Sequence, residues 1–523
     1  MKTRPASASH TDSSRAPGRA AAPTGRSSRL VLAALLLIVL GVDLLCMPAG
    51  ISPGDPFTWR EEARSILHGR LAIDEATAKV WLANTEPGQY FVLNEKNGRY
   101  YSKYGIANSL MALPPLLVEQ LTAGPAAAQW PPQPANLLIL NLYQILLCLV
   151  VTALLYHLTG RYARRPVTRT LYVLAVLFAT FLWYYQRAQT SEIYQVLFFL
   201  AFLSCLLPCL PGAAAQDGQP GRQRRYLLGA WLFLALLLMT RLLFALLLPV
   251  MVAVTISRIR RGGARNSRAF ILAELAWLLA PAVVVFGILG AVHAAKFGSP
   301  FLTGYHQWKT QTHLPVGNPW DGLYGFLFDM QGSVLWYFPV LIVALAGWRR
   351  FWARHKADAC VIGGIFLLFL LFLCPVPTWL GEWTHGPRYM LFVLPAAALP
   401  FVLFLDGLLD RPRRWSKALA AAAAAALLIY SGYLQERVNR LDFFAYYYAR
   451  TPLQQRFTPE VAAYFLNHHR GVICADLLRH RDNLGALPYM KELEKNEVPR
   501  STLDAYIKFL RPKLRDNYYW ESR

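Results

Sequence analysis

The feature that most constrains this chain is the recurrence of apolar runs long enough to cross a bilayer. The first covers 30–48, and others follow at 135–157, 168–184, 191–210, 226–239, 241–256, 268–291, 332–347, 359–376, 388–405 and 416–434. A helix needs roughly 20 apolar residues to cross, because the hydrocarbon offers no water to a free backbone amide or carbonyl. Hydrophobic residues make up 55% of the chain and its mean hydropathy is +0.30, more than a soluble core requires. The expectation is an all-α polytopic membrane protein with about eleven transmembrane helices.

Charge indicates how the chain is threaded. The net charge of +23 would suggest nucleic acid in a soluble chain, but here the basic residues sit between apolar runs. They collect in the first 28 residues and in 157–169 (Arg161, Arg164, Arg165, Arg169), 222–225, 257–268, 349–356 and 411–417, which are every second connection. The positive-inside rule then places the N-terminus in the cytoplasm and the C-terminus outside, in a cell membrane, with no nucleic-acid partner. Residues 1–28, rich in Ser, Ala, Arg and Pro, read as a disordered cytoplasmic tail, a composition a transit peptide shares. Residues 29–434 form the membrane domain, and 435–523, too polar to span, form an outer-face tail of short helices.

Two local readings follow from parity. The runs 226–239 and 241–256 touch at Thr240-Arg241, and a tight outer turn there keeps the later loops on their proper sides. The stretch Gly105–Leu121 would invert those loops if it spanned, and Pro114-Pro115 would break its hydrogen-bond ladder. It is expected as an interfacial helix within a long outer loop, 49–134. Glu61 and Glu62 are expected on the solvated face of another interfacial helix, running to Gly69. The seven cysteines lie mostly in apolar runs with no CxxC pair, so neither a disulfide framework nor zinc is indicated. There is no Walker A loop, no GxGxxG after a strand and no internal repeat.

Four segments carry a resemblance: PGDPFTWREEARSILHGR, RYYSKYGIANSLMALP, the stretch from FGSPFLTGYHQW to DGLYGFLF, and WLGEWTHGPRYM. Together, over about 50–435, the chain resembles the GT-C class of membrane glycosyltransferases. More narrowly it resembles the bacterial protein-mannosyltransferase-like and aminoarabinose-transferase-like families, which take a sugar from a polyprenyl-phosphate carrier. The resemblance implies a transferase moving mannose, another hexose or a pentose to a lipid, glycan or protein acceptor on the outer face. Its partners would be the lipid-linked donor and membrane lipids.

Within that frame Asp55 is the implied catalytic carboxylate, since an acceptor hydroxyl must lose a proton as it attacks the anomeric carbon. Gly54-Asp55-Pro56 is equally good turn chemistry. Glu192 is the implied second carboxylate, although Ser191-Glu192 also suits a helix start. Asp55 and Glu192 are the candidate pair for a divalent cation, to which His306, His313 and His385 could add; no other cofactor is implied. Lys103, Arg388 and Arg241 are the implied donor-phosphate ligands, because an anionic leaving group needs cations. Lys103 among tyrosines also fits an interfacial anchor, and Arg241 a snorkelling side chain. Tyr101, Tyr104, Tyr305, Trp383, His385 and Tyr389, in the same segments, are the implied substrate-lining residues. Glu382 stands where the family has a glycine, and Gln331 where it has a basic residue. The competing class is a transporter or lipid flippase, which calls for inverted repeats or charges at mid-membrane. An envelope-polymer ligase would share the lipid donor without the resemblance.

Overall fold

The computed structural model describes residues 25–50, 54–83, 85–123, 134–163, 165–210, 220–261, 268–308, 316–377, 384–410, 415–442, 445–456 and 459–520. Over these the chain is helical apart from one antiparallel hairpin, β1 (Phe91–Asn94) and β2 (Arg99–Ser102), with Phe91 opposite Ser102. The first helices are α1 (Gly25–Leu45), α2 (Asp55–Leu67), α3 (Glu75–Leu82), α4 (Ile106–Ala123), α5 (Pro134–Thr159), α6 (Pro166–Phe178), α7 (Leu182–Arg187) and α8 (Ser191–Leu206). Then come α9 (Pro220–Thr240), α10 (Leu248–Arg261) and α11 (Arg268–Phe297). The later long helices are Val340–Arg354, Lys356–Leu373 and Trp415–Arg440, and five short helices from Ala445 to Leu510 form the tail.

Among the described residues seven helices are long and apolar enough to cross a membrane, and two shorter apolar helices accompany them. The Ser191–Cys209 span is 78% buried, while Arg268–Phe297 is 11% buried and Trp415–Arg440 is 17% buried. An apolar helix of which only about a tenth of the residues are buried in the protein needs lipid around it. The chain is therefore an all-α polytopic membrane protein, with α8 central and α11 at the rim.

Several expected spans take a more broken form. The run 168–184 divides into α6 and α7, because Phe181 donates its N–H to Tyr337 O (2.9 Å) and Ser431 donates to Ala179 O (2.8 Å). The run 388–405 becomes a 3-10 turn (Arg388–Met390) and the helices Leu394–Ala397 and Pro400–Leu409, each of the two helices starting at or beside a proline. Pro114 and Pro115, expected to interrupt a helix, lie inside a continuous α4. The Trp415–Arg440 helix runs through the 434/435 boundary expected from composition.

Charged side chains gather at the two ends of the bundle. At one end Arg161 pairs with Asp358 (2.6 Å), Arg165 with Asp410 (3.2 Å), and Arg258 with Glu274 (2.7 Å). Arg258 also donates to Gln223 (3.2 Å), which brings the start of α9 beside the end of α10 and makes the two an antiparallel hairpin turning at Arg241. The opposite end holds α2, α4, the β-hairpin, the 298–308 loop and the tail.

Candidate active site

Asp55 opens α2, with Pro56 in the first turn, where the ring's fixed φ suits a helix start and the dipole favours a carboxylate. Its side chain is 27% exposed. The Tyr104 hydroxyl donates to Asp55 Oδ1. Burial first, and the Asp55 carboxylate second, push the Tyr104 phenol well above its ordinary pKa, so the shared proton stays on the tyrosine. Asp55 thus keeps Oδ2 for another partner.

Glu192 lies in the first turn of α8, with only 2% of its side chain exposed. Its Oε1 accepts from Arg241 Nη2 at 3.0 Å. Arg241 is an extended residue (φ −150°, ψ 132°) at the reversal between α9 and α10, which explains how a residue beside a span reaches across to α8. Arg388 comes from the turn after Gly386. Its Nη1 stands 3.8 Å from Asp55 Oδ2 and 3.9 Å from Glu192 Oε1. The Tyr389 ring lies under both guanidiniums, 5.3 Å from Arg241 Cζ and 5.1 Å from Arg388 Cζ. Tyr305, 37% exposed, completes one wall, within electrostatic reach of Arg241, Tyr389, Asp55 and Arg388.

Arg388 is bound less tightly than its surroundings allow. Nη1 sits beyond hydrogen-bond distance of both carboxylates, Nη2 makes a long bond to Tyr389 Oη (3.4 Å), and the buried Nε has no hydrogen-bond partner among the described residues. A half-buried guanidinium with donors to spare is the arrangement an anion would complete. The same geometry fits a divalent cation poorly. The two carboxylates face one guanidinium, and among the described residues no three ligating side chains converge.

Lys103 is placed beside the pocket but enclosed. Only 5% exposed, its Nζ lies 3.7 Å from the Trp308 ring centre and 5.0, 5.1 and 5.7 Å from those of Tyr104, Tyr305 and Tyr90. The 298–308 loop that supplies Tyr305 and Trp308 presses on this segment, since a Cβ on Gly304 would fall 1.8 Å from Lys103 O. A phosphate reaches the ammonium only if those rings give way.

Other expectations are corrected. Tyr101 is buried in the hairpin, where its hydroxyl accepts from Asn97 Nδ2 (3.0 Å); strand alternation turns it away from the pocket. His385, 1% exposed, bonds Gln435 (2.8 Å) and packs against Tyr337 and Tyr184, so it supports the pocket from beneath. His306 Nδ1 bonds the nearby Thr303 O (2.5 Å). Glu61 and Glu62 are 5% and 0% exposed, not solvated. Glu61 pairs with Arg64 (2.9 Å), and Glu62 pairs with Lys296 (2.7 Å) and accepts from Ser109 (2.5 Å). Trp383, Glu382 and His313 lie outside the described residues.

The Glu62–Lys296 pair was not legible as part of the site. Lys296 also donates to Tyr104 O (2.7 Å), so it holds the backbone of the residue that bonds Asp55. Its one sequence signal is a single lysine closing the apolar run of α11.

Fold and site together define an all-helical membrane protein with a pocket of two carboxylates and two arginines at one end of the bundle. No family model matches the chain, and no curated protein matches it. Among solved structures it is similar to ArnT from Cupriavidus metallidurans bound to undecaprenyl phosphate: 15% identity, 94% of this chain and 86% of that one covered, TM-score 0.47. It is also similar to the Archaeoglobus fulgidus oligosaccharyltransferase in its apo form: 12% identity, 85% of this chain and 60% of that one covered, TM-score 0.47. The same enzyme with Zn and sulfate gives 13% identity, 83% and 57% coverage, and a TM-score of 0.48. Likeness at this level carries no argument, and both fold and chemistry rest on this chain's own helices and side chains.

Proposed function

We propose that this protein is a membrane glycosyltransferase that moves a sugar from a polyprenyl-phosphate donor to an acceptor hydroxyl at the outer face of the cytoplasmic membrane. The observation that supports it best is Arg388, held with unspent donors between Asp55 and Glu192. Such a reaction needs a cation for the leaving phosphate and a carboxylate for the acceptor's proton, and here the two share one pocket, 3.8 Å apart.

In this reading Asp55 Oδ2 accepts the acceptor's proton as its oxygen attacks the anomeric carbon. The bond from that carbon to the phosphate oxygen breaks, and the electron pair leaves on the phosphate. Arg388 and Arg241 take up the developing charge, with Tyr389 packed beneath them. Glu192 keeps Arg241 oriented before the donor arrives, and the Tyr104 hydroxyl fixes which carboxylate oxygen is the base. The acceptor is a hydroxyl of a lipid, glycan or protein, and the sugar is mannose, another hexose or a pentose. A transporter would place its charges mid-bundle, whereas the pocket's carboxylates and arginines lie at helix ends.

The test is sugar release from a synthetic polyprenyl-phosphate donor by purified protein at matched amounts. Asp55→Asn keeps shape and removes basicity, so transfer falls on the order of 10²–10⁴-fold. Donor binding and protein yield hardly move, and Asp55→Glu retains more activity than Asn. Equal rates for wild type and Asp55→Asn would overturn the assignment.

A further inference from the structure

The tail, for which the chemistry above has no use, reaches under the pocket through Arg470. This arginine, first residue of the helix Arg470–Arg479, is 4% exposed. Its Nη1 donates to Thr384 O and to Tyr447 Oη (3.0 Å), and its guanidinium lies against Tyr446 (4.5 Å) and Tyr447 (5.1 Å). Among the described residues no carboxylate lies within ion-pair distance of it. A buried cation answered only by neutral oxygens and rings is costly, and an apolar side chain would fill the same space at less cost.

Its carbonyl target begins the turn that delivers Arg388. Thr384 O accepts from Arg470 and from Tyr447 Oη (2.8 Å), His385 O from Tyr185 Oη (2.9 Å), and Gly386 O from the Arg388 N–H (2.9 Å). Gly386 has φ +66°, and a Cβ there would stand 2.8 Å from the Phe181 ring and 3.1 Å from Tyr337. The floor is therefore fixed by aromatic rings, one of which, Tyr337, stacks on His469 (4.3 Å), the residue before Arg470. Every carbonyl of the turn is held, and the tail holds the first.

We infer that Arg470 is a positioning residue: by clamping Thr384 O, the tail sets the height of the 384–387 turn and so places Arg388 between Asp55 and Glu192. The kinetic consequence rests on the glycosyl-transfer reading, while the structural consequence does not.

Two variants keep the test clear of misfolding. Arg470→Met removes the clamp, and Tyr447→Phe removes the one hydroxyl that bonds the same carbonyl and accepts from Arg470. Hydrogen exchange of the 384–392 peptide in nanodiscs should quicken in both, with exchange in α5 and α8 unchanged. With the synthetic polyprenyl-phosphate donor, Arg470→Met should raise the donor KM roughly 10- to 100-fold, the size of a lost charge-assisted contact. In an Arg388→Gln background the same change should alter KM by less than about twofold, because both act through one contact. Unchanged exchange at 384–392 would overturn the clamp, and so would a loss of equal size in both backgrounds. If wild type shows no turnover while the exchange change persists, the clamp stands and the enzymatic reading falls.

Discussion

Tyr104 illustrates how much a single hydroxyl can decide. Two carboxylate oxygens of Asp55 face the pocket, and the phenol bonds one of them, which leaves the other toward Arg388. Tyr104→Phe should therefore lower kcat about 10- to 100-fold, as one hydrogen bond to a charged group is worth roughly 1.5–3 kcal/mol, while donor KM stays near wild type. A change confined to KM would place the tyrosine on the donor instead. Glu192 behaves differently because it is almost fully buried and Arg241 depends on it. Glu192→Gln should leave Arg241 without its counter-charge and weaken donor binding, measured as a raised KM, and should lower thermal stability in the same preparation. Unaltered KM and stability would remove Glu192 from the pocket's electrostatics.

At the scale of elements, α2 carries Asp55 and is tied down by charges rather than by apolar contact alone. Arg60 grips Glu119 of α4 through two nitrogens (3.2 and 2.9 Å), and Glu62 joins Lys296 of α11 and Ser109 of α4. Three elements thus meet at two buried ion pairs, and the Tyr104 carbonyl is bonded to one of them. Removing one partner of a buried pair strands the other, at a cost of about 3–5 kcal/mol. Lys296→Met should accordingly lower the unfolding midpoint in detergent by several degrees. The double variant with Glu62→Gln should recover much of that, since no buried charge is then left alone. If the double variant is as unstable as the sum of the single ones, the pair does not act as a unit.

Across the whole molecule, the two ends differ in a way that orients it. Paired arginines of the short connections stand at one end, and the pocket and tail at the other, where Tyr519 N–H donates to Met47 O (2.8 Å) and Trp520 to Leu44 O (2.8 Å). On the positive-inside rule we propose that the first end faces the cytoplasm. A cysteine introduced at the exposed Glu497 and a tag after Leu121 should then be reached by impermeant reagents in intact cells, and a tag after Arg165 should not. Labelling at Arg165 alone would invert the molecule and move the proposed site to the other face.

What the residues settled unaided were properties of composition and period. Apolar runs too long for a soluble core dictated a helical membrane protein, because backbone groups in hydrocarbon must bond within their own segment. The charge pattern separated the ends. The four resembling segments named Asp55, Tyr104, Tyr305, Arg388 and Tyr389, and two short outer turns named Glu192 and Arg241; the structure draws all seven into one pocket. Side-chain direction was beyond reach of that reading. Glu62 looks solvent-bound in WREEAR until α4 and α11 close over it, and Lys103 looks free until Trp308, some two hundred positions on, covers it. His385 and Arg388 lie three residues apart in one turn, yet one goes into the floor and the other into the pocket, because Gly386 has φ +66° and reverses the chain between them. Burial and partner choice depend on contacts between segments distant in sequence, and only the packed fold supplies those.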